Sequence, residues 1–403
     1  MYMIDSLPDP TMSGIIEEES FTYDSTEAPA NSSTHTPTRG LSFSQDPDIS
    51  HETSTVHHRR DSVSGPHLEK FLKLINTIDF PTDVMCCKFT PDGSMLAVGL
   101  IDGKILVYNH LENQLLYSLR DEDIDTFHLP VTQIRFPAFP FTGVVEDNKL
   151  LASYASGHIK LWDYTTGSCL NTMTENRQSL NVTYSSDGLR FVTTGETPEL
   201  FVYDRTTRKK ILTLEPSIST LSFSPIDTHQ KLDGHCFRVF AAQYHPDEPH
   251  LFLSGGWDDT VHYWDDRKKH SIRSISGPHI CGDAIDIDPI GKRAVLTGSW
   301  RRKCPLEVWD FDTGKKMKDI PSEPLCHCQL YCCQWLAKES VLCGGSDGNM
   351  AKVVNWSTLS TKGLLTDLPQ GVYCIDNDKI GNKPLMAVGS KSRIYVMKPE
   401  KDF

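Results

Sequence analysis

No apolar run in the 403-residue sequence approaches the roughly 18–20 residues that cross a bilayer. The opening MYMIDSLPDP lacks a basic stretch followed by an apolar one, so neither membrane insertion nor secretion is expected, and the protein reads as intracellular, cytoplasmic or nuclear. Basic residues are outnumbered, 40 Lys and Arg against 53 Asp and Glu, for a net charge of −13. A protein that neutralises phosphates needs the opposite balance, so nucleic acid is not an expected partner. None of the twelve cysteines forms a CxxC pair, which fits reduced thiols. The cluster Cys326-His327-Cys328 with Cys332 and Cys333 invites a zinc reading, but adjacent residues of a strand point to opposite faces, and no metal or other cofactor is expected. A Gly-Lys-Ser/Thr phosphate loop and an HExxH helix are both missing, which leaves an enzyme as the weak alternative.

What is present divides at about residue 66. Residues 1–66 hold twenty Ser and Thr, eleven Asp and Glu and three Lys and Arg, with no sustained apolar periodicity. Such a segment buries too little apolar surface to offset its ordering entropy and is expected to be a disordered acidic tail. Within it Arg59-Arg60-Asp61-Ser62-Val63 resembles a basophilic-kinase substrate, and Thr36-Pro37 is a proline-directed candidate, making Ser62 and Thr36 the predicted phosphorylation sites.

From residue 67 short apolar runs alternate with turns, and a repeat emerges. One six-residue frame recurs seven times: VMCCKF (84–89), VTQIRF (131–136), SLNVTY (179–184), VFAAQY (239–244), GDAIDI (282–287), LYCCQW (330–335) and VYCIDN (372–377). Each is followed by a second run such as MLAVG (95–99) or LFLSGG (251–256). A third run closes each unit near 109, 163, 204, 265, 310, 356 and 397. The period is that of strands. Seven units of three strands, each joined to the next by a fourth, predict an all-β, seven-bladed β-propeller of four-stranded blades over residues 67–403.

The segment GHCFRVFAAQYHPDEPHLFLSGGWDDTVHYWDDR (234–267) resembles the WD-repeat β-propeller family in its Gly-His opener, its Ser and Asp near the turn and its Trp-Asp ending. The resemblance covers about 67–403 but is near-complete only in this fourth unit. It implies that His235, Ser254, Asp258 and Trp264 form a structural hydrogen-bonded tetrad, leaving no catalytic residues to assign. It also implies a protein-interaction scaffold or adaptor that assembles a multiprotein complex as a monomeric propeller, holding other proteins or peptide segments. Because unit 7 has no following strand, the run KFLKLINTI (70–78) is expected to complete blade 7 as its outer strand. Two long stretches, 137–148 and 217–230, depart from the repeat; the second reads as a repeat remnant or a surface insertion.

Three groups of residues stand out as binding candidates. Trp257 and Trp300, with Arg301 and Arg302, fall in turns between second and third strands of blades 4 and 5, and Trp and Arg dominate protein-binding hot spots. A basic patch follows the third strands: Arg205, Arg208, Lys209 and Lys210 after blade 3, Arg267, Lys268 and Lys269 after blade 4, and Lys315, Lys316 and Lys318 after blade 5. Finally, Trp264-Asp265-Asp266-Arg267 fits the W-D-x-R pattern of WD-repeat substrate receptors of cullin–RING ubiquitin ligases, with Asp265 and Arg267 as adaptor-docking candidates.

Overall fold

The fold was analysed in a computed structural model that describes residues 65–137, 148–217, 233–323 and 327–402. Ser62, Thr36, Cys326 and most of the 137–148 and 217–230 stretches lie outside the described residues. Among the described residues, apolar-rich runs of four to eight residues, and one of three, form 29 strands, which pair into seven antiparallel sheets. Each sheet is a blade in which consecutive strands are neighbours. The innermost strands are Val84–Phe89, Val131–Arg135, Ser179–Tyr184, Val239–Tyr244, Ile285–Ile287, Cys328–Trp335 and Val372–Asn377. Each contacts the innermost strand of the next blade, and the last contacts the first, so the ring is closed.

The repeat frame maps onto this geometry position by position. The third residue (Cys86, Gln133, Asn181, Ala241, Ala284, Cys332, Cys374) and the fourth (Cys87, Ile134, Val182, Ala242, Ile285, Cys333, Ile375) are all buried. A blade is covered on both faces by its neighbours, so both sets point into inter-blade cores. At the second residue six of the seven inner strands carry a bulge, as between Val84 and Cys86 or Val239 and Ala241. An extra residue there bends and twists the strand where it nears the axis. The exception is blade 5, whose strand begins only at Ile285 and leaves Asp283 outside the ladder. Neighbouring blades approach closely at second-strand glycines. A Cβ on Gly99 would lie 2.6 Å from Cys86 Sγ and 2.7 Å from Val131 Cβ, and one on Gly344 only 2.5 Å from Val372 Cγ1.

Closure is made by the strand Leu72–Asp79, which pairs antiparallel with Arg393–Pro399 as the outer strand of blade 7. The predicted run 70–78 is thus shifted and split. Lys70 takes a left-handed conformation (φ 65°), and the residues before it, His67–Lys70, form a separate strand on the outer edge of blade 6, against Gly363–Thr366. The segment therefore pins two blades where one was expected, because the turn at Lys70 redirects the chain from one edge to the next. A short helix, Glu122–Phe127, was also not foreseen. Asp121 caps it by accepting the Ile124 N–H (3.1 Å), and Asp121 and Asp123 each hold the fully buried Lys160 ammonium at 2.6 Å. This ties the blade 1–2 connection to blade 2.

A chain beginning at Phe80 should lose the closing strand and the blade 6 edge strand His67–Lys70 while keeping every other blade element. Compared with a chain beginning at Ser64, its melting temperature is expected to fall by at least about 10 °C or its cooperative transition to vanish. Matching calorimetric melts of the two would show that closure does not depend on this strand.

Candidate functional site

The tetrad residues come together in blade 4. His235 sits in the connection ahead of the inner strand, Ser254 on the second strand, Asp258 in the following turn and Trp264 on the third strand. His235 bonds Asp258 Oδ2 through Nδ1 and Ser254 Oγ through Nε2, both at 2.7 Å, and the Trp264 indole N–H donates to Ser254 Oγ at 2.7 Å. Asp258 further accepts the Cys236 and Thr260 N–H groups and the Thr260 hydroxyl. Burial works against ionisation of Asp258, yet His235 and these donors hold its carboxyl well below the usual range. The arrangement satisfies buried polar groups and locks a turn. Ser254 stands between an imidazole and an indole with no opening to substrate. His262 packs edge-on against His235 at 4.5 Å, with Nδ1 2.9 Å from Ser271 Oγ. Burial first, and then His235, push its pKa down to about 3.

Blade 3 solves the same problem with other residues. Glu175 occupies the place of His235, Thr193 that of Ser254 and Tyr203 that of Trp264. Glu175 accepts the Thr193 and Tyr203 hydroxyls and pairs with the buried Arg177 at 2.9 Å. In blade 5 the Trp309 indole donates to Thr297 Oγ1 at 2.9 Å. The string Gly344-Gly345-Ser346-Asp347-Gly348 has the spacing of a nucleophile elbow but lies in a strand-to-strand hairpin with no helix after it, so the elbow geometry is missing. Cys332 and Cys333 face different inter-blade cores, as their strand positions require. Burial raises the pKa of both thiols, and it brings that of Cys343 to about 11, the opposite of what a metal thiolate or nucleophile needs.

The surface candidates are more constrained than the sequence suggests. Trp257 is half-buried, its ring 5.5 Å from Phe240 and under the Arg238 guanidinium. Trp300 is half-buried 6.5 Å from Tyr331. Arg301 is bound to Glu307, to the Cys304 carbonyl and to the Gly277 carbonyl; Arg302 is exposed and pairs with Asp347 of blade 6. In the basic patch, Arg205, Arg208 and Lys209 occupy the turn after blade 3's third strand, whereas Lys210 starts the outer strand and lies over the Phe201 ring. Lys268 approaches Asp265 at 3.9 Å and Lys269 approaches Glu215 at 4.0 Å. Lys315 is in its turn, but Lys316 and Lys318 belong to the outer strand Lys316–Ile320, where Lys316 pairs with Glu307 and Asp319 and Lys318 donates to the Ser357 carbonyl. Arg267 closes on Asp265 through Nε and Nη2 at 2.7 and 2.9 Å, within its own turn.

A further site went unread in the sequence. A cavity of about 430 Å³ opens at the axis, on the face of the turns between first and second strands. Its wall holds the fifth residue of every repeat frame: Lys88, Arg135, Thr183, Gln243, Asp286, Gln334 and Asp376. All seven are polar, a regularity visible along the chain once the frame is aligned. Lys88 reaches Asp376 at 3.0 Å and Asp283 at 3.5 Å, and Arg135 reaches Asp283 at 3.1 Å. Gln334 Nε2 donates to Asp376 and Asn377 Nδ2 to Gln334 Oε1, both at 3.0 Å. Against desolvation, Arg135 and Lys88 hold the Asp283 carboxyl well below its ordinary range. Asp286 differs. Burial pushes its carboxyl upward, and Lys379 and two backbone amides only partly counter this.

A family model described as "WD domain, G-beta repeat" matches residues 72–109 and 224–265. The first match begins at the closing strand, so its unit runs from the outer strand of one blade through three strands of the next. The chain is similar to Ribosome biogenesis protein YTM1 of Meyerozyma guilliermondii (27% identical over 172 residues, 41% of this chain and 34% of that protein). It is similar to U3 snoRNP-associated protein-like EMB2271 of Arabidopsis thaliana (25% over 187 residues, 46% and 33%). It is also similar to a guanine nucleotide-binding protein subunit beta of Solanum tuberosum (26% over 275 residues, 65% and 67%). The aligned stretch thus spans about a third of the first two relatives and two thirds of the third.

Two measurements check the tetrad and the His262 ring packed against it. Ser254→Ala strands the buried His235 Nε2 and the Trp264 N–H together and should cost about 2–4 kcal/mol in urea unfolding. A loss below about 0.5 kcal/mol would deny the network a stabilising role. The folded pKa of His262 lies below its unfolded value of 6.5, so the unfolded chain takes up the proton first. Stability from the neutral ring is complete above pH 6.5 and drains away as pH falls toward 3. Melts from pH 7 to 4 should therefore drop less steeply for His262→Gln than for the wild type; parallel slopes would contradict the assignment.

Proposed function

The chain belongs to the WD-repeat β-propeller family, and on that premise we propose that it is a non-catalytic scaffold whose faces hold other proteins or peptide segments in a larger complex. What carries this reading is the contrast between two polar constellations. The His235–Ser254–Asp258–Trp264 set is bonded inward within one blade, whereas the ring of fifth-position residues lines an open cavity. Chemistry needs a nucleophile or a proton-transfer group facing substrate; recognition needs shaped, partly desolvated polar surface.

The net charge and the pairing of the patch lysines Lys268, Lys269 and Lys316 with nearby carboxylates favour protein over nucleic acid as the partner. No helix among the described residues is long and apolar enough to cross a membrane; an intracellular location, cytoplasmic or nuclear, is part of the proposal. A cullin–RING receptor role would require an adaptor to compete with Asp265 for the Arg267 guanidinium, which makes that reading secondary.

Affinity purification with mass spectrometry on wild type, Trp300→Ala and Arg267→Ala tests the scaffold. Specific partners lost with Trp300→Ala and kept with Arg267→Ala are expected. Cullin and adaptor peptides lost only with Arg267→Ala would transfer the protein to ubiquitin ligation. Absence of any specific partner would overturn the scaffold.

A further inference from the structure

The axial cavity has a charge imbalance that the chain does not resolve by itself. Among its charged lining residues, two cations, Lys88 and Arg135, face three carboxylates, Asp283, Asp286 and Asp376, and Lys379 and Asp378 add one charge of each sign. Both cations are taken: Lys88 lies between Asp376 and Asp283, and Arg135 holds Asp283. Asp286 is left over. Its Oδ2 accepts the Trp335 N–H and its Oδ1 the Ile287 N–H, each at 2.9 Å, and no Lys, Arg or His among the described residues forms an ion pair with it. A carboxylate drawn partly out of water, with two amide donors and the Lys379 charge acting on it without an ion-pair contact, lacks the close partner that would offset its desolvation.

We propose that the mouth of this channel receives an arginine side chain presented by a protein partner, with Asp286 as its counter-ion. The inference rests on the scaffold reading and gives that scaffold a specific anchor. An anion fits poorly, because the one other lining cation, Lys379, is exposed at the rim. Arginine fits better than lysine because a guanidinium is more weakly hydrated, pairs with both carboxylate oxygens and stacks on aromatic rings. A volume near 430 Å³ lies in the range of pockets that enclose a small ligand group.

The test is isothermal titration calorimetry of the full chain with the capped peptide Gly-Gly-Arg-Gly-Gly and its counterpart carrying citrulline, which keeps the shape of arginine without its charge. The arginine peptide should bind at one site per chain and at least about tenfold more tightly than the citrulline peptide. Asp286→Asn retains an oxygen for the Trp335 N–H while giving up the acceptor of the Ile287 N–H, and should abolish that preference in a chain that still melts cooperatively. Equal affinities for the two peptides, no binding of the arginine peptide, or a preference surviving in a folded Asp286→Asn would each overturn the proposal. Should the variant fail to fold, the wild-type comparison decides alone. Failure here, with partners still lost from Trp300→Ala in the pull-down, removes the anchor and leaves the scaffold standing.

Discussion

Everything in this protein depends on closing a ring from a chain whose ends must meet. Each blade is apolar on both faces and buries them only against two neighbours, so an open ring would leave two blade faces and their edges in water. The join is made twice. At the periphery, Leu72–Asp79 pairs with Arg393–Pro399. At the axis, Asp376 of blade 7 accepts both the Lys88 ammonium and the Phe89 N–H of blade 1. The outer join is a ladder of backbone bonds and the inner one a charged clasp. His67–Lys70 extends the outer join to blade 6.

The same closure explains the polar axis. Seven inner strands converge at one end, where their fifth residues cannot all find apolar neighbours and instead face the axial cavity. Polar residues at that position avoid an exposed apolar funnel, and ion pairs between blades then brace the ring from inside. Asp283 joins this set through an irregularity: the late start of blade 5's inner strand frees it from the ladder to meet Lys88 and Arg135. The three-against-two charge count follows from that one departure.

Much of the architecture was legible along the chain because it is written in short-range patterns. Period-2 alternation marks the strands, with mostly small residues at the third frame position and apolar ones at the fourth. The leftover run before unit 1 marks the closing strand, and the meeting of His235, Ser254, Asp258 and Trp264 is what the resemblance of unit 4 to the WD-repeat family implies. The binding candidates were less legible. Residue type placed Trp and Arg in the right turns but could not tell that Arg301 is tied to Glu307, or that Arg267 closes on Asp265. Those are contacts between side chains, and composition is blind to them. The equivalence of Glu175, Thr193 and Tyr203 with the blade 4 residues is likewise visible only once strands are in register, since none of the three residue types matches.

By itself, then, the sequence determined seven repeated units, their strand order and their means of joining, because hydrophobic periodicity and turn residues act over a few positions. The tertiary structure alone decided which polar groups face the axis and which cations are already matched. It also decided that the strand His67–Lys70 would cap blade 6. Those outcomes depend on contacts between residues far apart in sequence, 288 positions for Lys88 and Asp376 and more for His67 and Thr366, and they are set by how twisted sheets pack around a common axis.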